Sequence, residues 1–415
     1  MSKRFWALAF FALLLCSAGC IENKSPDEYG YALVIGIDEG EEKPYYISML
    51  LQRGNGNTEN SQGEVCAYAA VECANFFEGI DLLESTLPYS LNLSRATALI
   101  ISEQAARAGL LEDFLSVSLS TLQIRYYANL VVAHSRADDY VRGLQSEMNP
   151  NVAKLQYTFV EYGEITGLAP SVTLAEFYDR AWSGAGSGDV MMPLGAFTPQ
   201  DESEDEQQPT IPKEEKQKSQ QQEPAVDILG DSMFLPGSIN KEGGLESGMM
   251  GSAIFYDRHV VGLLNGPHTL LVMMANGQFE HGRIQLAIGD EQSVSVSLTA
   301  RKAPRVKLEL GEKSSAHFAI SLSALVERPE AVAHLSEQEV EDYISAYLER
   351  ELLRVYEACK QQKSDVFALG KHAVVQFESV EQWEAYDWKS AYENTSVSFS
   401  VDVALEYNPT RSRLE

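Results

Sequence analysis

The chain has 415 residues, a formal charge of −28 and an apolar content of 45%. It is long enough for two or three packed domains at ~150 residues each, and its apolar share is that of ordinary globular protein. So acidic a surface repels nucleic acid and anionic headgroups, which excludes a nucleic-acid binder.

The first twenty residues, MSKRFWALAFFALLLCSAGC, read as a secretory leader. Lys3 and Arg4 start it, Phe5 to Leu15 is uncharged and apolar, and Ser17, Ala18 and Gly19 lead to Cys20. Eleven helical residues cover ~16 Å, far short of a ~30 Å hydrocarbon core. The end of the run looks like a bacterial lipoprotein signal, with Leu15 to Cys20 as its lipobox. Small side chains suit a peptidase groove, and the Cys20 sulfur is the nucleophile for a diacylglyceryl group. Cys16 competes less well because leucines, not small residues, stand directly before it. An ordinary secretory leader with an incidental cysteine is the blander reading. On the lipoprotein reading, 1–19 is the signal peptide and the mature chain, two units more negative, is tethered outside the cytoplasm by acyl chains.

Cys66, Cys73 and Cys359 then remain. Three is not a disulfide framework. Cys66 and Cys73 pair if they lie on neighbouring turns or strands; otherwise they are small buried apolar residues.

In chain order, residues 21–30 form a short polar spacer. Tyr31 to Ile37 reads as a buried strand closed by a turn at Asp38 to Gly40, and Tyr45 to Gln52 as its hairpin partner. Gly54 to Gly63 is a loop by composition. Val65 to Cys73 is a candidate strand, and Asn75 to Leu87 carries Phe76, Phe77, Ile80, Leu83 and Leu87 at helical spacing. Ala96 to Ile101 is a strand, and Ser102 can cap a following helix through Leu110, Leu111, Phe114 and Leu115. Tyr127 to Ala133 is a strand and Asp138 to Met148 a helix, ended by Asn149-Pro150. This alternation predicts a mixed α/β sheet of at least four strands. Ser171 to Trp182 is amphipathic, 183–188 is a glycine-rich linker, and Val190 to Pro193 resumes structure.

Residues 200–224 hold one apolar aliphatic residue, Ile211, and three prolines. Such a stretch buries too little to offset its chain entropy and is expected to be disordered. It divides the chain into an N-terminal region, 20–199, which admits a second subdomain from about residue 150, and a C-terminal domain, 229–415. The acidic linker itself is taken as 200–228.

The second half opens with an expected hairpin, Ser247 to Tyr256 and Val260 to Leu264, then a helix with Pro267 near its first position. Arg283 to Arg301, Val306 to Leu310 and Ala316 to Leu325 alternate with period two, predicting antiparallel sheet with one wet face. Ser336 and Glu339 make a capping box, and Val340, Tyr343, Ile344, Tyr347, Leu348, Leu352, Val355 and Cys359 form a stripe on a helix of ~30 Å. Another helix is expected from Asp365 to about Phe377, a shorter one around Trp383 and Trp388, and a last strand from Val397 to Leu405. The fold class is thus multidomain: a mixed α/β sheet domain, then an α+β domain with antiparallel sheet and a long helix.

No reactive constellation stands out. The seven histidines, His134, His259, His268, His281, His317, His334 and His372, show no helical ligand spacing. There is no G-x-S-x-G elbow and no phosphate loop. Tyr343, Tyr347, Trp383 and Trp388 read as core rather than as a ligand box. No catalytic residue, metal or cofactor is expected.

Several segments together resemble the Ger(x)C lipoproteins, germinant-receptor C subunits of endospore-forming bacteria. These are Cys20 followed by Ala32 to Asp38, Ala98 to Glu103 with Gly109 to Phe114, Leu130 to Ala133, Gly251 to Phe255 with Val261 to Gly266, Asp365 to Gly370, and the spaced tryptophans. Three positions depart from the family pattern. Ile21-Glu22 stands where Trp-Asp often follows the cysteine, Leu263 replaces a hairpin Trp, and the insertion 201–224 is atypical. The resemblance implies a non-catalytic, lipid-anchored component on the outer face of the spore inner membrane. It would assemble with integral membrane A- and B-type subunits into a nutrient receptor, and contact the bilayer through acylated Cys20. The alternatives are a solute-binding lipoprotein of a transporter, which needs two similar lobes, and a surface hydrolase.

Overall fold

A computed structural model describes residues 28–53, 66–121, 124–145, 152–182, 189–198, 226–231, 234–237, 243–289, 291–311 and 313–406. The leader with Cys20, the 54–63 loop, the glycine-rich 183–188 and the acidic 200–224 lie outside them.

The apolar run near residue 30 forms β1 (Tyr29–Glu39), buried along almost its whole length. A strand with no wet face must sit centrally, covered on both sides. It pairs antiparallel with β2 (Tyr45–Arg53), which pairs antiparallel with β3 (Cys66–Cys73). On its other side run β5 (Ala98–Ser102), β6 (Asn129–Ala133) and β7 (Met191–Phe197), all parallel to it, with short β4 (Ser90–Asn92) beside its start. The connecting helices are α1 (Phe76–Thr86), α2 (Glu103–Arg107), α3 (Leu110–Thr121), α4 (Ala137–Gly143), α5 (Val152–Thr166) and α6 (Leu174–Trp182). Ser102 caps as expected, its Oγ accepting from Ala105 N–H, and Asn75 Oδ1 likewise accepts from Glu78 N–H. One face of the sheet packs Phe76, Leu83, Phe114 and Phe177; the other packs Tyr140, Val141 and Leu144 of α4.

The same sheet continues through β8 (Ser247–Tyr256) and β9 (His259–Leu264) to nine strands. The hairpin that chain order would assign to the second half therefore completes the first sheet. Phe197 and Ser247 are register partners, so the long segment between them leaves and re-enters one sheet. Gly251 in β8 has φ +78°, and a Cβ there would lie 2.4 Å from the Leu264 carbonyl oxygen. Only glycine fits both constraints.

Asn265 caps α7 (Gly266–Ala275), with Pro267 in its first turn. Every residue of α7 but Pro267 is buried, which fits a helix enclosed by packed elements on nearly all sides. It shares one core with Ile254 and Leu264 of the first sheet and Phe318 and Val296 of the second. That second sheet has the order β10 (His281–Ile288), β11 (Glu291–Glu309), β12 (Ser315–Val326), β13 (Ser396–Leu405). Its first three strands are antiparallel, but β13 runs parallel to β12. A parallel pair needs a long crossover. Here it holds α8 (Glu337–Gln361), α9 (Leu369–Val374), α10 (Val380–Ala385) and α11 (Trp388–Glu393). The Ser336–Glu339 capping box forms, and Val340, Ile344, Leu348, Leu352, Val355 and Cys359 face inward, whereas Tyr343 is exposed. The two sheets differ in strand number and topology, so the halves are not the similar lobes of a two-lobed binder.

Two carboxylates of α8 reach the edge of this sheet. Glu349 accepts from Val401 N–H and Glu341 from Leu405 N–H, each at 2.9 Å. Edge donors of β13 are thereby occupied, which blunts a free strand edge.

Cys66 and Cys73 sit at opposite ends of β3. Seven residues of strand separate them by ~23 Å, well beyond the Cα separation of about 7 Å that a disulfide tolerates. They do not pair with each other. Cys73 and Cys359 are free and buried.

Candidate functional site

The two halves meet where β7 begins and α8 ends. The β8–β9 turn at Asp257 and Arg258 has φ +48° and +70°, the left-handed pair of a tight hairpin turn. It points toward the chain leaving α8, where Lys363 has φ +61° and Ala368 φ +54°. Between those two residues the backbone delivers Ser364 and Asp365 into the seam. Ser364 Oγ donates to the Phe255 carbonyl oxygen at 2.5 Å, and Tyr392 Oη to the Ser364 carbonyl oxygen at 2.9 Å.

Asp365 is buried and fully engaged. It accepts from Leu369 N–H at 2.9 Å, Gly370 N–H at 2.7 Å and Trp388 Nε1 at 3.3 Å. Its own N–H donates to Asp189 Oδ2 at 2.8 Å. Burial drives the Asp365 carboxyl up to about 7, and the neighbouring Asp189 charge adds to the rise, against the backbone bonds that lower it. Burial likewise drives Asp189 up to about 6. A cavity of ≈ 150 Å³ lies over this pair, rimmed by Arg258, Lys363 and Lys389. The cations already have partners: Lys389 with Asp257 at 3.3 Å, Lys363 with Glu393 at 2.9 Å and Arg258 with Glu112 at 3.1 Å.

Other carboxylates, buried or half-buried, act in the same way. Asp227 accepts from Asn265 N–H at 3.0 Å and faces His268 Nδ1 at 2.6 Å. Asp38, at the end of β1, accepts from Ala137 and Asp138 N–H at 2.8 and 2.9 Å, the first turn of α4. Burial raises its carboxyl to about 6. Glu103 sits between Arg107 and His134, each at 2.6 Å. Each carboxylate ties its own segment to donors on another. That is fastening geometry.

The histidines are dispersed. His134 pairs with Glu103, His268 with Asp227, and His317 bonds Ser398 and Ser400 across strands. His259 follows the β8–β9 turn, its Nδ1 2.7 Å from the Asp257 carbonyl oxygen. Among the described residues no three His, Cys, Asp or Glu side chains are placed to hold a metal ion, and no helix is long and apolar enough to cross a membrane. Trp383 is core as expected, while Trp388 serves the seam. Cys20 lies outside the described residues, nine positions before Tyr29. Asp189 and Asp365 escaped the sequence reading. The signal available was position: each is an acid set directly before an apolar run, Val190 to Leu194 and Val366 to Leu369.

Residues 23–196 match the family model for the spore germination protein N-terminal domain. Residues 250–408 match the model for the spore germination B3/GerAC-like C-terminal region. The chain belongs to the Ger(x)C family of germinant-receptor C subunits. As a Ger(x)C protein it is a spore germination receptor component. A crystal structure of the GerBC protein is similar at 12% identity, covering 90% of this chain and 97% of that one, with a TM-score of 0.51. That likeness speaks for the shared two-domain fold. No match was found among curated proteins.

Proposed function

We propose that this Ger(x)C chain is the lipid-anchored C subunit of a nutrient germinant receptor, a structural and coupling part rather than a catalyst. Acylated Cys20 holds it on the outer face of the spore inner membrane, beside integral membrane A- and B-type subunits. The observation that carries this reading is the family match over both halves of the chain, behind a leader that ends in Ser-Ala-Gly-Cys. The seam supports it: carboxylates fasten the two halves to each other, as a load-transmitting body requires. The test is a Cys20→Ala strain. The protein should leave the membrane fraction and nutrient germination should fail. Normal retention with a normal nutrient response would overturn the reading.

A further inference from the structure

Strands β1, β5 and β6 run parallel, so they begin at one common edge of the first sheet. This is also the edge where the chain arrives from Cys20. Tyr29 is nine residues from that cysteine, a tether of at most ~31 Å. Two loops form the part of this edge nearest β1, 87–97 before β5 and 124–128 before β6; the edge runs on to the start of β7 and the β8–β9 turn. Backbone bonds tie the first loop to β1 and the second to the first: Thr97 N–H donates to the Leu33 carbonyl oxygen at 2.8 Å, and Asn129 N–H to that of Thr97 at 2.9 Å.

The composition of this edge departs from the rest of the molecule. The chain has 60 acidic residues, yet none falls between Glu84 and Glu103 or between Asp113 and Asp138. The loops present exposed Arg95 and Arg125 instead. Tyr126 and Tyr127 beside them are 59% and 63% exposed. The Arg95 guanidinium lies 4.1 Å over the Tyr31 ring, and that of Arg125 5.5 Å from the Tyr127 ring, whose hydroxyl it also meets. Carboxylates border the patch, and one of them, Glu84, accepts from Leu91 N–H at 2.7 Å. Glu28 is exposed at the chain's entry, and Glu176 is taken up by Thr173, which donates its N–H and hydroxyl at 2.8 and 2.9 Å.

Tyrosine settles at the boundary of apolar and wet layers. A guanidinium over a ring keeps its edge N–H groups free for a phosphate fork. We propose that this edge is the membrane-facing side of the protein, seated on phospholipid headgroups next to the lipid-modified cysteine. The proposal rests on the lipid-anchor reading above. Repulsion of the acidic remainder adds to the orientation: one edge is drawn to an anionic surface while the rest is pushed off it. The Glu41 turn, at the far end of β1, then stands ~36 Å further from the bilayer.

The test uses the full lipidated chain on anionic vesicles, with a Cys66→Ser background and a fluorophore at Ser94→Cys or Glu41→Cys. Co-sedimentation is read first and checks the anchor alone; a chain that stays in the supernatant overturns the anchor reading. Quenching by headgroup-region spin-labelled lipid is read second. The Ser94 label should lose emission and the Glu41 label should not. Arg95→Glu with Arg125→Glu should relieve that loss in the still-anchored protein, since each arginine shifts the contact about fivefold near an anionic surface. Equal quenching at both labels, or no effect of the charge reversals, overturns the proposal. So does a Ser94 label shielded only when membrane subunits are added, which would give this edge to a protein neighbour.

Discussion

Asp189 and Asp365 hold each other by two hydrogen bonds across the seam. The Asp365 N–H donates to the Asp189 carboxylate at 2.8 Å, and the Asp189 N–H donates to the Asp365 carbonyl oxygen at 3.2 Å. Residues 176 positions apart in sequence thus form a closed clasp, and both carboxyls titrate above their ordinary range.

The clasp makes stability depend on pH. Asp189 and Asp365 titrate at about 6 and about 7 in the folded chain, and near 3.8 when unfolded. Between those limits the folded state binds more protons, so stability falls as pH rises through the window. The melting temperature should be higher at pH 5 than at pH 7.5. Asp189→Asn keeps an oxygen for the Asp365 N–H and removes the charge, so it should flatten that slope. A wild-type melting temperature that rises toward pH 7.5 would contradict this account.

The edge of β13 offers a second check. Removing both acceptors, in Glu341→Ala with Glu349→Ala, leaves two strand donors open. Each lost bond should cost about 1 kcal/mol, and the opened edge should favour strand-to-strand association. Urea denaturation reads the first effect. Light scattering against protein concentration reads the second, and an unchanged monomer at high concentration would refute it.

Gly251→Ala should be severe. A left-handed backbone costs an alanine about 1–2 kcal/mol, and the new methyl would also meet the Leu264 carbonyl oxygen. The loss should exceed about 2 kcal/mol, measured by chemical denaturation. Gly248→Ala, in the same strand but with open space around its Cβ, is the matched control.

The thiols should be inert while the fold persists. Burial pushes Cys73 up to about 11 and Cys359 higher still, and thiolate is the reacting form. Peptide mapping after alkylation at pH 8 should find both unmodified in native protein and modified in denaturant. Native labelling of Cys359 would mean that the α8 interface opens readily.

Local features were legible in the chain. The Ser336–Glu339 capping box, the Pro267 helix start and the alternation in β10 to β12 each depend on neighbours within a few residues. Helix α5 (152–166) was missed because its apolar spacing is poor: Val152 and Val160 are buried, but Tyr157, Tyr162 and Ile165 are exposed. Alternation tells which faces a strand has but not its direction, so the parallel pairing of β13 was invisible. Chain order likewise does not record a partner, and β8–β9 joined the earlier sheet. The clasp was hidden among 60 acidic residues, with nothing local beyond a place before an apolar run to single out these two. Its formation depends on burial, a property of the assembled core.

Because Phe197 and Ser247 stand opposite each other, the whole chain between them is the connection of a single antiparallel pair, β7 and β8. Closing such a connection costs only about 0.6 kcal/mol more for each doubling of its length. Lineages can therefore lengthen, trim or recharge it without disturbing strand register on either side. It is also the natural place to splice in a fluorescent reporter.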